Sequence, residues 1–295
     1  MNKDDIEIAP FDNLLVYKKG YTPEFVFKII SAKKLGGLRI FSILKMDRLD
    51  TIDFLRDYDF IEKLDVTSIS DFDFSFLNRL TNLKKLSINV EGNNKIDLSN
   101  LEKIESLSIK WRKGIVGFDN CKNLLSLCLI EFKENDLIQF ANLKSLTDIK
   151  IKTASIESLK GVDDLANLQT LYIGNCKKLT SIKSINNLPK LQHLEFSKCP
   201  NVKDYHYINN LPSLQSLSLV DCGRVESIKF IEGLPLLSNL SLLGNTVIND
   251  GDLLPAKGIK NVEHKHYNHY NIKIENPAYD QTIRNNLQKI KNLFK

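Results

Sequence analysis

The sequence contains no run approaching the roughly 20 apolar residues that cross a bilayer, so no membrane-spanning helix is expected. Its opening, Met1-Asn2-Lys3-Asp4-Asp5, leads into no apolar stretch of signal-peptide length, and the expected location is the cytoplasm. Cysteine occurs five times but never as a C-x-x-C pair, which argues against a zinc site and against a disulfide framework. A Gly-rich phosphate loop, a G-x-S-x-G elbow and an H-E-x-x-H pair are all missing, so the common signatures of nucleotide binding, serine hydrolysis and zinc proteolysis are absent. Arginine is rare and lysine carries most of the positive charge. Lysine is the more hydrated of the two and the less suited to forked phosphate contacts. A formal net charge of +5 over 295 residues is mild, well short of what announces nucleic acid by itself. Neither a cofactor nor catalysis is expected.

What is present is a repeated phrase. Leu168-Gln169-Thr170-Leu171-Tyr172-Ile173-Gly174-Asn175-Cys176 returns as Leu191-Gln192-His193-Leu194-Glu195-Phe196-Ser197-Lys198-Cys199. It returns again from Leu214 to Cys222 and from Leu237 to Asn245, each time as L-x-x-L-x-L-x-x-C/N. The opening apolar residue can be followed through Leu35, Ile61, Leu83, Ile104, Leu124, Leu146, Leu168, Leu191, Leu214, Leu237 and Ile259. Between the motifs, apolar residues recur every third position, as in Leu179, Ile182, Ile185 and Leu188 or Leu49, Ile52, Leu55 and Tyr58. A period of three predicts a tight 3₁₀-like or extended return, not a long α-helix.

This pattern resembles the short, 22-residue bacterial class of leucine-rich repeats found in internalins, and the resemblance covers residues 35–267. It implies an α/β fold: a right-handed solenoid with a parallel β-sheet on the concave face and short 3₁₀ or extended convex segments. The long first spacing, the weak repeat at 104–123 and the lack of a secretion signal or wall anchor depart from that class. The chain then divides into an N-terminal cap over 1–34, about eleven repeats over 35–267 and a C-terminal cap over 268–295. In the first cap, Asn13–Tyr17 reads as a strand, and Thr22-Pro23-Glu24 opens a helix with Phe25, Val26, Ile29 and Ile30 as its buried stripe. In the last, 271–274 offers a final strand, and Ile283, Leu287, Ile290 and Phe294 share one face of a basic helix. Capping the last repeat is favoured for that helix over membrane binding.

The ninth motif position points inward, so Cys176, Cys199, Cys222 and Asn245 are expected to face the turn, with Cys128 alone facing out. His264, His266 and His269 form the densest ligand-like cluster, with the first two on one face of a strand. Their place in the final repeat favours a structural role over a metal site. Function is expected on the outward columns of the sheet. There small residues dominate, and Lys110, Lys150 and Lys152 stand out, with Trp111 at the rim beside Arg112 and Lys113. Tyr172, His193 and Glu195 continue this patch. Aromatic anchors ringed by charge are the usual make-up of an interface centre, although strand lysines also serve simply to be solvated or to keep edges from pairing.

The leading expectation is therefore a monomeric, non-catalytic protein-binding scaffold, an inhibitor or immunity-type protein that occupies a toxin or enzyme with an acidic or mixed surface. The alternatives are a delivered effector or adhesin that binds host proteins and, less favoured, a nucleic-acid-binding protein.

Overall fold

The computed structural model describes residues 6–9, 12–43 and 48–274. The helix expected over Ile283 to Phe294 lies outside them. The chain divides into two compact units, Met1–Ser155 and Ile156–Lys295.

The first unit opens with two short antiparallel strands, β1 (Ile8–Ala9) and β2 (Leu14–Val16). Helix α1 (Pro23–Lys33) follows because Thr22 caps it: its hydroxyl accepts from the Phe25 amide at 3.3 Å, and Pro23 presets the first helical φ. Lys34, in the left-handed region at φ 52°, ends it by donating to the Ile30 and Ser31 carbonyls. Only Val26 of the expected stripe is fully buried; Phe25, Ile29 and Ile30 are half-buried. The repeat strands then come in series: β3 (Gly37–Ser42), β4 (Lys63–Ser68), β5 (Lys85–Val90), a short β6 (Ile96–Asp97), β7 (Ser106–Lys110), a short β8 (Ile115–Val116), β9 (Ser126–Phe132) and β10 (Asp148–Ala154). Each repeat strand starts two residues after its motif leucine or isoleucine. The main sheet of this unit runs β1-β2-β3-β4-β5-β7-β9-β10, parallel from β2 onward, while β6 and β8 pair separately.

Alternation builds the core. Leu64, Leu86, Leu107, Leu127 and Ile149 lie in one register column, and all are buried. The returns are 3₁₀, as the period of three predicts: in Asp53–Asp57 the Leu55 amide donates to Ile52 O at 3.0 Å, and Leu49, Ile52, Leu55 and Tyr58 all point inward. Each repeat buries several such side chains at roughly 1.5–3 kcal/mol apiece, so stacking on neighbours decides stability.

The second unit repeats the arrangement with β11 (Thr170–Gly174), β12 (His193–Ser197), β13 (Ser216–Val220), a short β14 (Arg224–Val225), β15 (Asn239–Leu243), a short β16 (Val247–Ile248) and β17 (Asn261–His264). Here Leu171, Leu194, Leu217, Leu240 and Val262 form the inward column. Behind the strands the chain turns through the left-handed region at Asn175, Lys198 and Asp221, and the next residue is a buried cysteine. Cys199 Sγ donates to Ile173 O at 3.5 Å and Cys222 Sγ to Phe196 O at 3.3 Å, so each thiol ties its turn to the preceding repeat.

Two expectations fail in this unit. Asn245 does not take the inward slot: it is exposed, and Thr246 is buried instead. A tight turn at Gly244 (φ 66°) adds one residue before the chain dips, and Thr246 Oγ1 then accepts from Cys222 N at 3.1 Å and donates to Leu219 O at 2.9 Å. Nor do residues 271–274 form a strand. Asn271 is held by the preceding loop, accepting from Leu253 N at 3.0 Å and donating to Asp252 Oδ1 at 2.7 Å.

Candidate functional site

In the first unit the outward columns stand in register. Asp65, Ser87, Ser108, Cys128 and Lys150 form one, and Lys110, Ile130 and Lys152 another. Lys150 and Lys152, both on β10, are exposed. Lys110 is different. Its ammonium lies 3.0 Å from Glu131 and in closer contact still with Glu91, and only 14% of its side chain is exposed. The Glu91 bond, helped by Glu131 against the cost of burial, raises its pKa above the ordinary lysine value. Lys110 is thus the centre of a carboxylate clamp and does not stand as a free positive charge.

Trp111 is not at the rim. It is 8% exposed, with its ring 4.6 Å from Phe132 and stacked on Phe118, and its indole N–H donates to Glu134 Oε1 at 3.2 Å. Alternation explains this, since Leu107 and Ile109 point inward and Trp111 continues the same parity. Arg112 is also buried. It donates to Asp71 and to the Val90 carbonyl, with its guanidinium 5.5 Å from the centre of the Phe74 ring. The Trp111–Arg112 pair is therefore packed into the core rather than set at the rim.

In the second unit Tyr172 and Glu195 are register partners on β11 and β12, both half-buried, with His193 exposed at the start of β12. The Tyr172 ring lies over Gly174, where an added Cβ would come within 2.6 Å of the hydroxyl oxygen and push the ring aside. Burial first, and then the Glu195 charge, push the Tyr172 phenol pKa upward. Beyond them Ser218 and Ser241 continue the column, and Ser241 donates to Glu263 at 3.3 Å.

The histidine cluster closes on backbone and rings. His264 ends β17 and His266 lies past it, so the two do not share a strand face. His264 Nε2 is 3.3 Å from Ile274 O, His269 Nε2 donates to Ile248 O at 2.9 Å, and the Ile248 amide donates to the Tyr270 hydroxyl at 3.0 Å. Among the described residues no group of three or more His, Cys, Asp or Glu side chains is placed to hold a metal ion, and no helix is long and apolar enough to cross a membrane.

Reading the columns from Asp65 onward misses the first repeat. Carried back to the Leu35 motif, the same counting yields Gly37, Arg39 and Phe41 as outward residues of β3. With Val16 of β2 and the segments beside them, Arg39 and Phe41 border a cleft of about 540 Å³. Phe41 is 46% exposed, and Ile69, at the end of the neighbouring strand, is 60% exposed.

No protein-family model matches the chain, and a search of curated proteins finds no match. Among solved structures it is similar to a leucine-rich-repeat protein of Leptospira interrogans, with a TM-score of 0.51 and 19% identity over 83% of this chain and 76% of that one. A chain of the Toll–Spatzle complex of Drosophila gives a TM-score of 0.58 at 15% identity, over 83% of this chain and 38% of that one. An internalin (inlF) of Listeria monocytogenes gives 0.49 at 20% identity, over 86% and 87%. At these identities the likeness to the first two shows the fold alone. The chain is an α/β leucine-rich-repeat solenoid, as its repeats imply.

Proposed function

We propose that this chain is a non-catalytic protein-binding scaffold and, within that class, an inhibitor or immunity-type protein that occupies a toxin or enzyme. One observation carries the reading. Within each unit the repeat strands spend their inward residues on the core and present their outward ones in aligned columns in which small side chains predominate; Lys150 and Lys152 stand out in the first unit, and Tyr172, His193 and Glu195 in the second. A column surface of this kind in each unit suits contact with another folded protein. That a chain of the Toll–Spatzle complex shares this fold supports the same class of role. The Glu91–Lys110–Glu131 clamp weighs against nucleic acid, because it places two carboxylates where a phosphate backbone would need cations.

The test is affinity capture from the native cell with mass spectrometry, followed by cross-linking through Lys150 and Lys152. A single stoichiometric protein whose binding falls in the Lys150→Glu/Lys152→Glu or His193→Ala/Glu195→Ala variants is expected. Retention of full affinity by both double variants would remove these residues from the interface, and inhibition of the captured partner separates an inhibitor from a neutral scaffold.

A further inference from the structure

We propose that the cleft at the N-terminal end of the first unit, on the outward face of β2 and β3, is a second binding site, one that takes an acidic segment of a partner protein carrying an aromatic or branched aliphatic side chain. The floor is apolar: Val16 and Phe41 face out of β2 and β3, with the largely buried Leu49 at its edge. Tyr17 forms a wall held in place from behind, stacked on Phe54 at 4.5 Å between ring centres, with its amide donating to Arg39 O at 2.8 Å. A preformed wall loses little freedom on binding, which favours a docking site over an adaptable surface.

The rim is cationic and unevenly compensated. Arg39 is satisfied by Asp65 at 2.8 Å and by Asp12, and Lys18 has Glu7 at 4.0 Å. Lys19 and Arg48 are exposed on the same cleft and have no ion-pair partner among the described residues. Two cations with no ion-pair partner among the described residues, over an exposed aromatic floor, complement a carboxylate-bearing peptide with an apolar side chain between its charges. A cleft of about 540 Å³ is the size of a few residues, not of a folded domain. Inorganic polyphosphate matches the charge but leaves the Val16 and Phe41 floor without an apolar partner, and RNA, whose bases stack on aromatic rings, enters the test as a competitor.

This inference rests on the protein-binding reading only in taking the peptide as part of a protein. The experiment uses the full chain and fluorescence anisotropy with a labelled Glu-Phe-Glu-Leu-Glu-Phe-Glu peptide. A lysine-for-glutamate version, a serine-for-apolar version and a uridine heptamer of RNA serve as competitors. Saturable, salt-weakened binding of the acidic apolar peptide is expected, with at least about tenfold loss in Lys19→Gln/Arg48→Gln and in Phe41→Ser. All three side chains are exposed, so melting temperatures should match the wild type. A wild type that does not bind the peptide, preference for the uridine heptamer, or undiminished binding in both variants overturns the site. A native partner that cross-links only through Lys150 and Lys152 leaves this result standing, so the two proposals fail separately.

Discussion

Arg112 Nη1 donates to Asp71 Oδ1 at 2.8 Å across 41 residues of chain. The other carboxylate oxygen of Asp71 accepts from the Asn93 and Asn94 amides at 2.7 and 2.8 Å, so one side chain ties together the loops that follow β4, β5 and β7. Gly92 is required beside it, since at φ 121° a Cβ would collide with the Asp71 carboxylate. The pair locks three successive repeats in phase.

Asp71→Asn should cost about 3 kcal/mol, the lower end for a buried pair, because Asp71 still touches water while Arg112 does not. Burial pushes the Asp71 pKa up, but the amides of Asn94 and Asn93 and the Arg112 guanidinium outweigh it and hold it below the ordinary carboxylate value. A depressed folded pKa gives stability that is complete above the unfolded value of about 3.9 and is lost as pH falls through the folded one. Urea titrations between pH 7 and pH 3 should show a shallower acid loss in the variant; parallel curves would deny Asp71 this role.

Leu171→Asp places an unpaired carboxylate in the inward column of the second unit, where Leu171 is fully buried, and should cost more than ~4 kcal/mol or prevent folding. Ser218→Asp lies on the outward column and should change stability by no more than ~0.5 kcal/mol. Circular-dichroism melts compare them directly, and similar behaviour of the two variants would contradict the assigned faces.

Cysteine reactivity should follow burial. Cys121 and Cys222 thiols are pushed up to about 11 by burial, and Cys199 is raised by its Cys176 neighbour as well as by burial. Only Cys128 is half-exposed. A maleimide reagent at neutral pH should label the folded chain at Cys128 first, with the remaining four reacting only on denaturation. Mass spectrometry of the labelled peptides reads the order.

Trp111→Ala should act on stability, not on binding. Removing a ring packed against Phe118, Phe132 and Phe140 should cost about 3–5 kcal/mol. Once the variant is folded, affinity for a captured partner should be unchanged. A variant with wild-type melting and lost binding would put the indole back at an interface.

The repeat, its strands and its 3₁₀ returns were legible in the sequence because each is local: the eleven motif openings and the period of three are carried by residues a few positions apart. The inward and outward columns of the strands followed from alternation, and the burial of Cys176, Cys199 and Cys222 from the ninth position of the repeated motif, which the left-handed turn before it carries inward. Even the inward direction of Trp111 was there to be counted, as the next inward position after Leu107 and Ile109; its rarity drew it instead into a surface role. Tertiary structure decided the rest. Whether a lysine is a free charge depends on neighbours about twenty residues away in either direction, and Glu91 and Glu131 change what Lys110 is. The exchange of Asn245 for Thr246 turned on a single added residue at Gly244, too small a shift for a pattern to reveal. The Asp71–Arg112 lock and the cationic cleft of the first repeat arise where loops and strands distant in sequence meet in register. Stacking creates those contacts, and no single repeat contains them.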